Sequence, residues 1–213
     1  MRALFGGSFN PVHNGHLILA RDVLEDFNFS EVIFVPAYVQ PLKGELLIPP
    51  EVRLRALQMA VEGERYFSVW DYEVKKEGVS YTYQTLEEFR KKYNEEPIFI
   101  MGADSFLSFD RWKKPRRILE LSKILILSRP GYDFNPQEIL RRIGVEIPVR
   151  RFKRGNVEER NWRVAIYEGR LLEISSTEVR KRLKLGKSIK YLVPEVVEEE
   201  IRRWWENGLQ ENV

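Results

Sequence analysis

Apolar residues along this chain fall into short continuous runs that alternate with longer stretches in which they recur every third or fourth position. Ala3-Leu4-Phe5, Val32-Ile33-Phe34-Val35, Ile98-Phe99-Ile100-Met101 and Ile124-Leu125-Ile126-Leu127 are runs of the first kind. They lack the in-and-out alternation of a half-exposed strand, so they suit strands covered on both faces. The pattern predicts strands over 2–5, 32–35, 67–74, 98–101 and 124–127, each followed by a helix, over 16–27, 50–61, 82–93, 115–121 and 136–143. Such an order is expected to build an α/β fold: a doubly wound, mostly parallel, Rossmann-like sheet with helices on both faces. The stretch 150–170 breaks the rhythm, with a charged turn at Arg154-Gly155-Asn156 and a strand over 163–167, and reads as an insertion or hairpin. A helix from about Ser176 follows, then a final helix over 194–205 with Val196, Val197, Ile201 and Trp204 on one side. No repeat or linker divides the 213 residues, so one domain over 1–213 is expected, with a small C-terminal helical portion from about 188 packed on it.

Ligands in open α/β sheets bind where the strands end. Four polar or glycine-rich turns should gather on that edge: Gly6-Gly7-Ser8, 36–43, Gly102-Ala103-Asp104 and Arg129-Pro130-Gly131. Both histidines of the chain lie in the first of them and the helix start behind it, Gly6-Gly7-Ser8-Phe9-Asn10-Pro11-Val12-His13-Asn14-Gly15-His16. A strand, a glycine turn and a helix N-terminus together offer backbone N–H groups and partial positive charge to a phosphate, and the imidazoles would add movable positive charge. The bland alternative is a plain turn in which Asn14 caps the helix. A second motif, Ile174-Ser175-Ser176-Thr177-Glu178-Val179-Arg180, also has two readings. Ser175 with Glu178 is a capping box, while Thr177 and Arg180 share a helix face and could aim a hydroxyl and a guanidinium at an anion.

Composition narrows the chemistry. There is no cysteine, which removes disulfides and thiolate nucleophiles, and two histidines with no cysteine make a zinc site a poor fit, so no protein metal site is expected. The longest apolar runs are too short to cross a bilayer and no signal peptide is visible, so no membrane association and a cytoplasmic location are expected. Thirty-five basic against thirty-two acidic residues leave a net charge of +3. That imbalance is too small to imply nucleic acid, and the clusters at 113–117 and 150–154 read as solvated faces. No pattern sets an oligomeric state.

Taken together the segments resemble the nucleotidylyltransferase superfamily, and within it the bacterial nicotinate-nucleotide adenylyltransferases. The resemblance rests on Gly6 to His16, Ser80-Tyr81-Thr82-Tyr83-Gln84-Thr85-Leu86, Met101-Gly102-Ala103-Asp104-Ser105, Trp112, Ser128-Arg129-Pro130-Gly131, the Ser175–Arg180 motif and Tyr191-Leu192-Val193-Pro194. The family's proline-rich turn with a basic residue is reduced here to Gln40-Pro41-Leu42-Lys43, and 150–170 is longer than usual. The resemblance implies transfer of AMP from ATP to nicotinate mononucleotide, giving nicotinate adenine dinucleotide and pyrophosphate, with Mg²⁺ carried by ATP. It further implies that Gly7, Ser8 and Phe9 line the ATP site, that His13 and His16 meet its phosphates, and that Gly102 and Asp104 hold the ribose region. Ser175, Thr177 and Arg180 would complete the triphosphate cradle, Trp112 would stack the pyridine ring, and Thr82, Lys113 and Lys43 would face the second substrate. A sister adenylyltransferase acting on nicotinamide mononucleotide or phosphopantetheine shares the two motifs, and a non-catalytic nucleotide-binding module is the bland alternative. A class I aminoacyl-tRNA synthetase fragment is disfavoured, because no Lys-Met-Ser-Lys signature follows.

Overall fold

The computed structural model describes residues 1–42, 47–128, 133–157 and 161–210. Seven strands form one sheet in the order β3-β2-β1-β4-β5-β7-β6: β1 (Arg2–Gly7), β2 (Glu31–Pro36), β3 (Phe67–Val69), β4 (Ile98–Gly102), β5 (Lys123–Ser128), β6 (Val149–Lys153) and β7 (Val164–Glu168). Every pairing is parallel. The order reverses at β1, where the chain winds first toward β3 and then, through β4, toward β6. Ligand clefts of doubly wound sheets open at such a reversal.

The pleat explains why the central strands read as unbroken apolar runs. Ala3 and Phe5 of β1 join one buried cluster while Leu4 joins the other, and Val32/Phe34 against Ile33/Val35 and Leu125/Leu127 against Ile124/Ile126 divide in the same way. The first cluster is covered by α1 (Asn14–Asp26), α2 (Pro50–Val61), α8 (Ser176–Lys184) and α9 (Glu195–Gln210). The second is covered by α4 (Thr82–Tyr93), α6 (Pro115–Leu121) and α7 (Pro136–Arg142). Two short helices, α3 (Tyr72–Lys76) and α5 (Ala103–Phe106), follow β3 and β4.

Three expectations need correction. The strand expected over 67–74 ends at Val69, and α3 begins three residues later. Asp71 and Lys75, one helical turn apart, form an ion pair at 2.8 Å, and four charges among the six residues from Asp71 to Lys76 suit a short helix better than a strand buried on both faces. The stretch 150–170 is neither insertion nor hairpin: β6 and β7 lie parallel within the main sheet, β7 against β5. β6 is the edge strand, with Phe152 buried and Arg150, Arg151 and Lys153 exposed, which is how natural sheets blunt an edge. In α9, Val197 and Ile201 are buried, but Val196 is turned outward and Glu200 takes the inner place, paired with Arg55 of α2 at 2.9 Å. Among the described residues no helix is long and apolar enough to cross a membrane.

Candidate active site

Two cavities open at the carboxyl edge of β1 and β4 and share the wall made by Gly6, Gly7, Asp104 and Ser105. The smaller, about 260 Å³, is lined by Gly7, Ser8, Phe9, His13, His16 and Gly102 among others. The larger, about 560 Å³, is lined by Thr82, Trp112 and Lys113 together with Gln40, Glu73 and Arg111. Gly6 must be glycine there, since a Cβ would sit 2.7 Å from the Phe99 ring.

The smaller cavity is built around the histidines. His13, not Asn14, is the N-cap of α1. Its backbone N–H donates to Nδ1 of His16 at 3.2 Å. Nδ1 of His16 is therefore an acceptor, and in the neutral ring the proton resides on Nε2. The two rings stack with centroids 3.7 Å apart. His13 is 6% exposed and its Nδ1 is buried with no hydrogen-bond partner, an orphan polar atom of a kind that native interiors rarely leave. Gly15 makes room for it, because a Cβ there would meet that Nδ1 at 3.0 Å. Burial pulls the His13 pKa down to about 4. Burial thus disfavours the positive charge expected on His13, because an imidazolium in that position loses its hydration.

Behind the turn, the backbone carbonyls are drawn away from the cavity. Arg53 of α2, fully buried, donates to the carbonyl of Ser8 at 2.6 Å, of Tyr38 at 2.9 Å and of Ile48 at 2.9 Å. Arg180 Nη1 donates to the carbonyl of Asn10 at 2.7 Å, and Ser176 Oγ donates to that of Pro11 at 2.9 Å. In a trans peptide the N–H opposes the C=O, so the N–H groups of Phe9 and Val12 are directed away from these donors. Phe9 holds a left-handed backbone at φ 42° while only 1% exposed, a conformation that costs about 1–3 kcal/mol and is kept only where surrounding structure enforces it. Burial lowers the pKa of Arg53 to about 10 and also lowers that of Arg180.

The late motif splits between its two readings. Ser175 is the N-cap of α8 and accepts the N–H of Glu178 at 3.1 Å. Arg180 Nη2 donates to Thr177 Oγ1 at 3.1 Å, so this guanidinium ties the head of α8 to the histidine turn rather than standing alone in the cavity. Ser175 and Thr177 are exposed, while Ile174 just ahead of them lines the smaller cavity. Lys43 and the Arg129-Pro130-Gly131 turn lie outside the described residues.

On the larger cavity, Trp112 is half-buried, its Nε1 donating to Ser108 Oγ at 3.4 Å and its ring tilted on Phe109 at 5.6 Å. Its remaining surface is free to line the cavity wall. The helix α4 starts at Thr82 with no side-chain cap on its first N–H groups. Gln40 Oε1 is buried there without a partner. Sequence reasoning missed Arg53, Glu73 and Arg170; the last lines the smaller cavity and is gripped through Nε and Nη2 by the buried Asp22 at 2.8 and 3.1 Å. A signal for Arg53 existed: it shares the inner face of α2 with Ala56 and Leu57, three and four positions on, where a charge is out of place.

The family model described as cytidylyltransferase-like matches residues 4–182. A probable nicotinate-nucleotide adenylyltransferase of Aquifex aeolicus is 44% identical over 84% of this chain and 100% of its own length. One of Clostridium tetani is 39% identical over 91% of this chain and 92% of its own. Among solved structures, Plasmodium falciparum nicotinic acid mononucleotide adenylyltransferase complexed with NaAD superposes with a TM-score of 0.71 at 16% identity, covering 95% of each chain. A putative nicotinate-nucleotide adenylyltransferase of Vibrio parahaemolyticus gives 0.60 at 20% identity, over 94% of this chain and 97% of that one. At those identities the likeness is one of fold.

Proposed function

This chain belongs to the nicotinate-nucleotide adenylyltransferases of the cytidylyltransferase-like family, and on that premise we propose that it transfers the AMP moiety of ATP to nicotinate mononucleotide, releasing pyrophosphate and forming nicotinate adenine dinucleotide. One observation carries the reading: two cavities meet at a shared wall of Gly6, Gly7, Asp104 and Ser105, beside the stacked imidazoles. ATP would occupy the smaller cavity and the pyridine mononucleotide the larger, which brings the two reacting phosphates together at the turn. The 5′-phosphate of the mononucleotide attacks the α-phosphorus in line and pyrophosphate leaves, so no protein nucleophile is needed.

The work of the protein is then positioning and charge. Helix α1 and the N–H groups around Phe9 and Val12 offer an anion site whose carbonyls are held back by Arg53, Arg180 and Ser176. His16, with its proton on Nε2, would donate to a phosphate oxygen on which charge develops, and neutral His13 would do the same from below. Gly102 and Asp104 would hold the ribose, with Ser175 and Thr177 at the outer rim of the cradle. Trp112 would stack the pyridine, while Thr82, Lys113 and Lys43 would serve its substituent and phosphate. Magnesium would enter as part of the ATP substrate. Among the described residues no three His, Asp or Glu side chains gather into a metal site, and Mg²⁺ favours phosphate oxygens and water.

Pyrophosphate release from magnesium-ATP, measured with nicotinate mononucleotide, its amide counterpart and phosphopantetheine in turn, tests the assignment. Release with the nicotinate form preferred is expected. Release with another acceptor alone would move the chain to a sister activity. In the same assay His16→Ala should lower kcat by an amount on the order of 2.7–4 kcal/mol, the effect of losing one donor to developing charge.

A further inference from the structure

Glu73, on the wall of the larger cavity, takes no part in the phosphate chemistry of the proposed reaction. Its carboxylate accepts the Thr85 hydroxyl at 2.5 Å and the Ser80 hydroxyl as well. Ser80 Oγ in turn accepts the N–H of Tyr38 at 2.9 Å, and the Ser80 N–H donates to the Val39 carbonyl at 2.9 Å. Ser80 and Thr85 bracket the start of α4, whose first N–H groups carry no side-chain cap. One carboxylate thus ties α3, the turn after β2 and the head of α4 together, on the cavity where a substrate carboxylate would meet that helix end. Burial pushes the Glu73 pKa up, outweighing the two hydroxyl donors and the nearby Lys76.

We propose that Glu73 governs the choice between acid and amide substrates: it positions the first turn of α4 through Ser80 and Thr85, and it takes up a proton when a substrate carboxylate binds at that turn. The inference rests on the reading that the larger cavity receives a pyridine mononucleotide. Two carboxylates brought together in one cavity disfavour each other's ionisation, so binding of the second favours uptake of one proton from solvent, shared between them. A protonated Glu73 can donate to a nicotinate carboxylate, whereas an ionised Glu73 repels it and can accept from the NH₂ of an amide. Other charges act on the same space. Lys76 lies on the same helix and donates to Gln84 of α4, Arg111, Lys113, Lys114 and Asp104 line the same cavity, and buried Arg53 reaches the Tyr38 carbonyl from α2. They act equally on wild type and on a Glu73 variant, so they set the level of the preference rather than its dependence on Glu73.

The test is the ratio of kcat/KM for nicotinate mononucleotide to that for nicotinamide mononucleotide, followed from about pH 5.5 to 8.5. The 5′-phosphate is common to both substrates and cancels in the ratio. In wild type the ratio should fall as pH rises, by at most about tenfold per unit for one linked proton. Glu73→Gln, which can still accept one hydroxyl through its amide oxygen and donate its NH₂ to the other but cannot ionise, should make the ratio flat. Glu73→Ala should depress both substrates together, because the tie to α4 is lost. Should either variant fail to fold, wild type alone decides: calorimetric titrations in two buffers of different ionisation enthalpy should report more proton uptake with nicotinate mononucleotide than with the amide, the 5′-phosphate contributing equally to both. Brisk turnover of nicotinate mononucleotide with a flat wild-type ratio, or an equal slope in Glu73→Gln, overturns the role of Glu73 and leaves the adenylyltransfer reading standing. No pyrophosphate release with either mononucleotide overturns both.

Discussion

An imidazole taken out of water holds its proton less tightly, and for His13, stacked on His16 in the wall of the smaller cavity, burial alone brings the pKa down to about 4 from 6.5. The unfolded chain binds this proton near 6.5, so between 6.5 and 4 the unfolded state holds more protons than the folded one, and stability rises with pH across that window. The contribution is intact above about 6.5, is lost as pH falls, and levels off below about 4, a difference of about 3 kcal/mol at 1.36 kcal/mol per unit. Denaturant unfolding of wild type and His13→Asn between pH 7 and 4 should therefore show the variant losing less stability by about that amount; parallel curves would mean that His13 titrates normally. Bound triphosphate opposes the burial and raises this pKa. The histidine motif was legible because few sequences place two imidazoles among glycines at a helix start. Glu73 was not, because it is one charge in the run Asp71 to Lys76, and only the fold reveals that it turns in toward Thr85 while Lys75 and Lys76 remain in solvent.

Helices announce themselves through proline and periodicity, and α2, α4 and α6 run over the spans that the sequence predicts. Elements too short for a period do not: α3 has 5 residues, and β6 buries only Phe152 and so leaves no apolar run to read. The late motif shows why a pattern can be legible while its role is not. Capping and anion binding call for the same residues at the same helix end, and the structure gives the cap to Ser175 and the loop tie to Arg180 and Ser176. Ser175→Ala should cost about 1 kcal/mol of stability by thermal or denaturant unfolding. Arg53→Lys tests the other anchor. A lysine keeps the charge but cannot span the carbonyls of Ser8, Tyr38 and Ile48 with one fixed planar group, and each carbonyl left buried and unpaired costs about 1–3 kcal/mol. Stability should fall, and KM for ATP should rise with it because the Ser8 carbonyl is released toward the cavity. Lower stability with unchanged KM would make Arg53 a core residue only.

Across the whole molecule, the site is completed from the far end of the chain. The family model stops at residue 182, yet the segment beyond it closes the sheet face that carries α1 and α2. Val197 and Ile201 are fully buried in the first cluster, and the carbonyls of Leu192 and Tyr191 accept the backbone and side-chain N–H groups of Asn14 at 2.8 and 2.7 Å. Asn14 stands between the two catalytic histidine candidates, so two hydrogen bonds tie the turn at Tyr191-Leu192 directly to the phosphate turn. Two substitutions should separate the two functions of this segment. Ile201→Ala opens a cavity between α9 and α2 and should cost about 2–5 kcal/mol of stability, with KM and kcat close to wild type at temperatures where the variant is folded. Asn14→Ala removes only the side-chain bond to Tyr191 and leaves the core intact, so it should cost far less stability while loosening the first turn of α1. Its effect should fall on kcat, since a small misplacement of His16 weakens an interaction realised as charge develops at the transferring phosphate. Equal losses of stability from both variants, or a normal kcat in Asn14→Ala, would confine the C-terminal segment to a packing role.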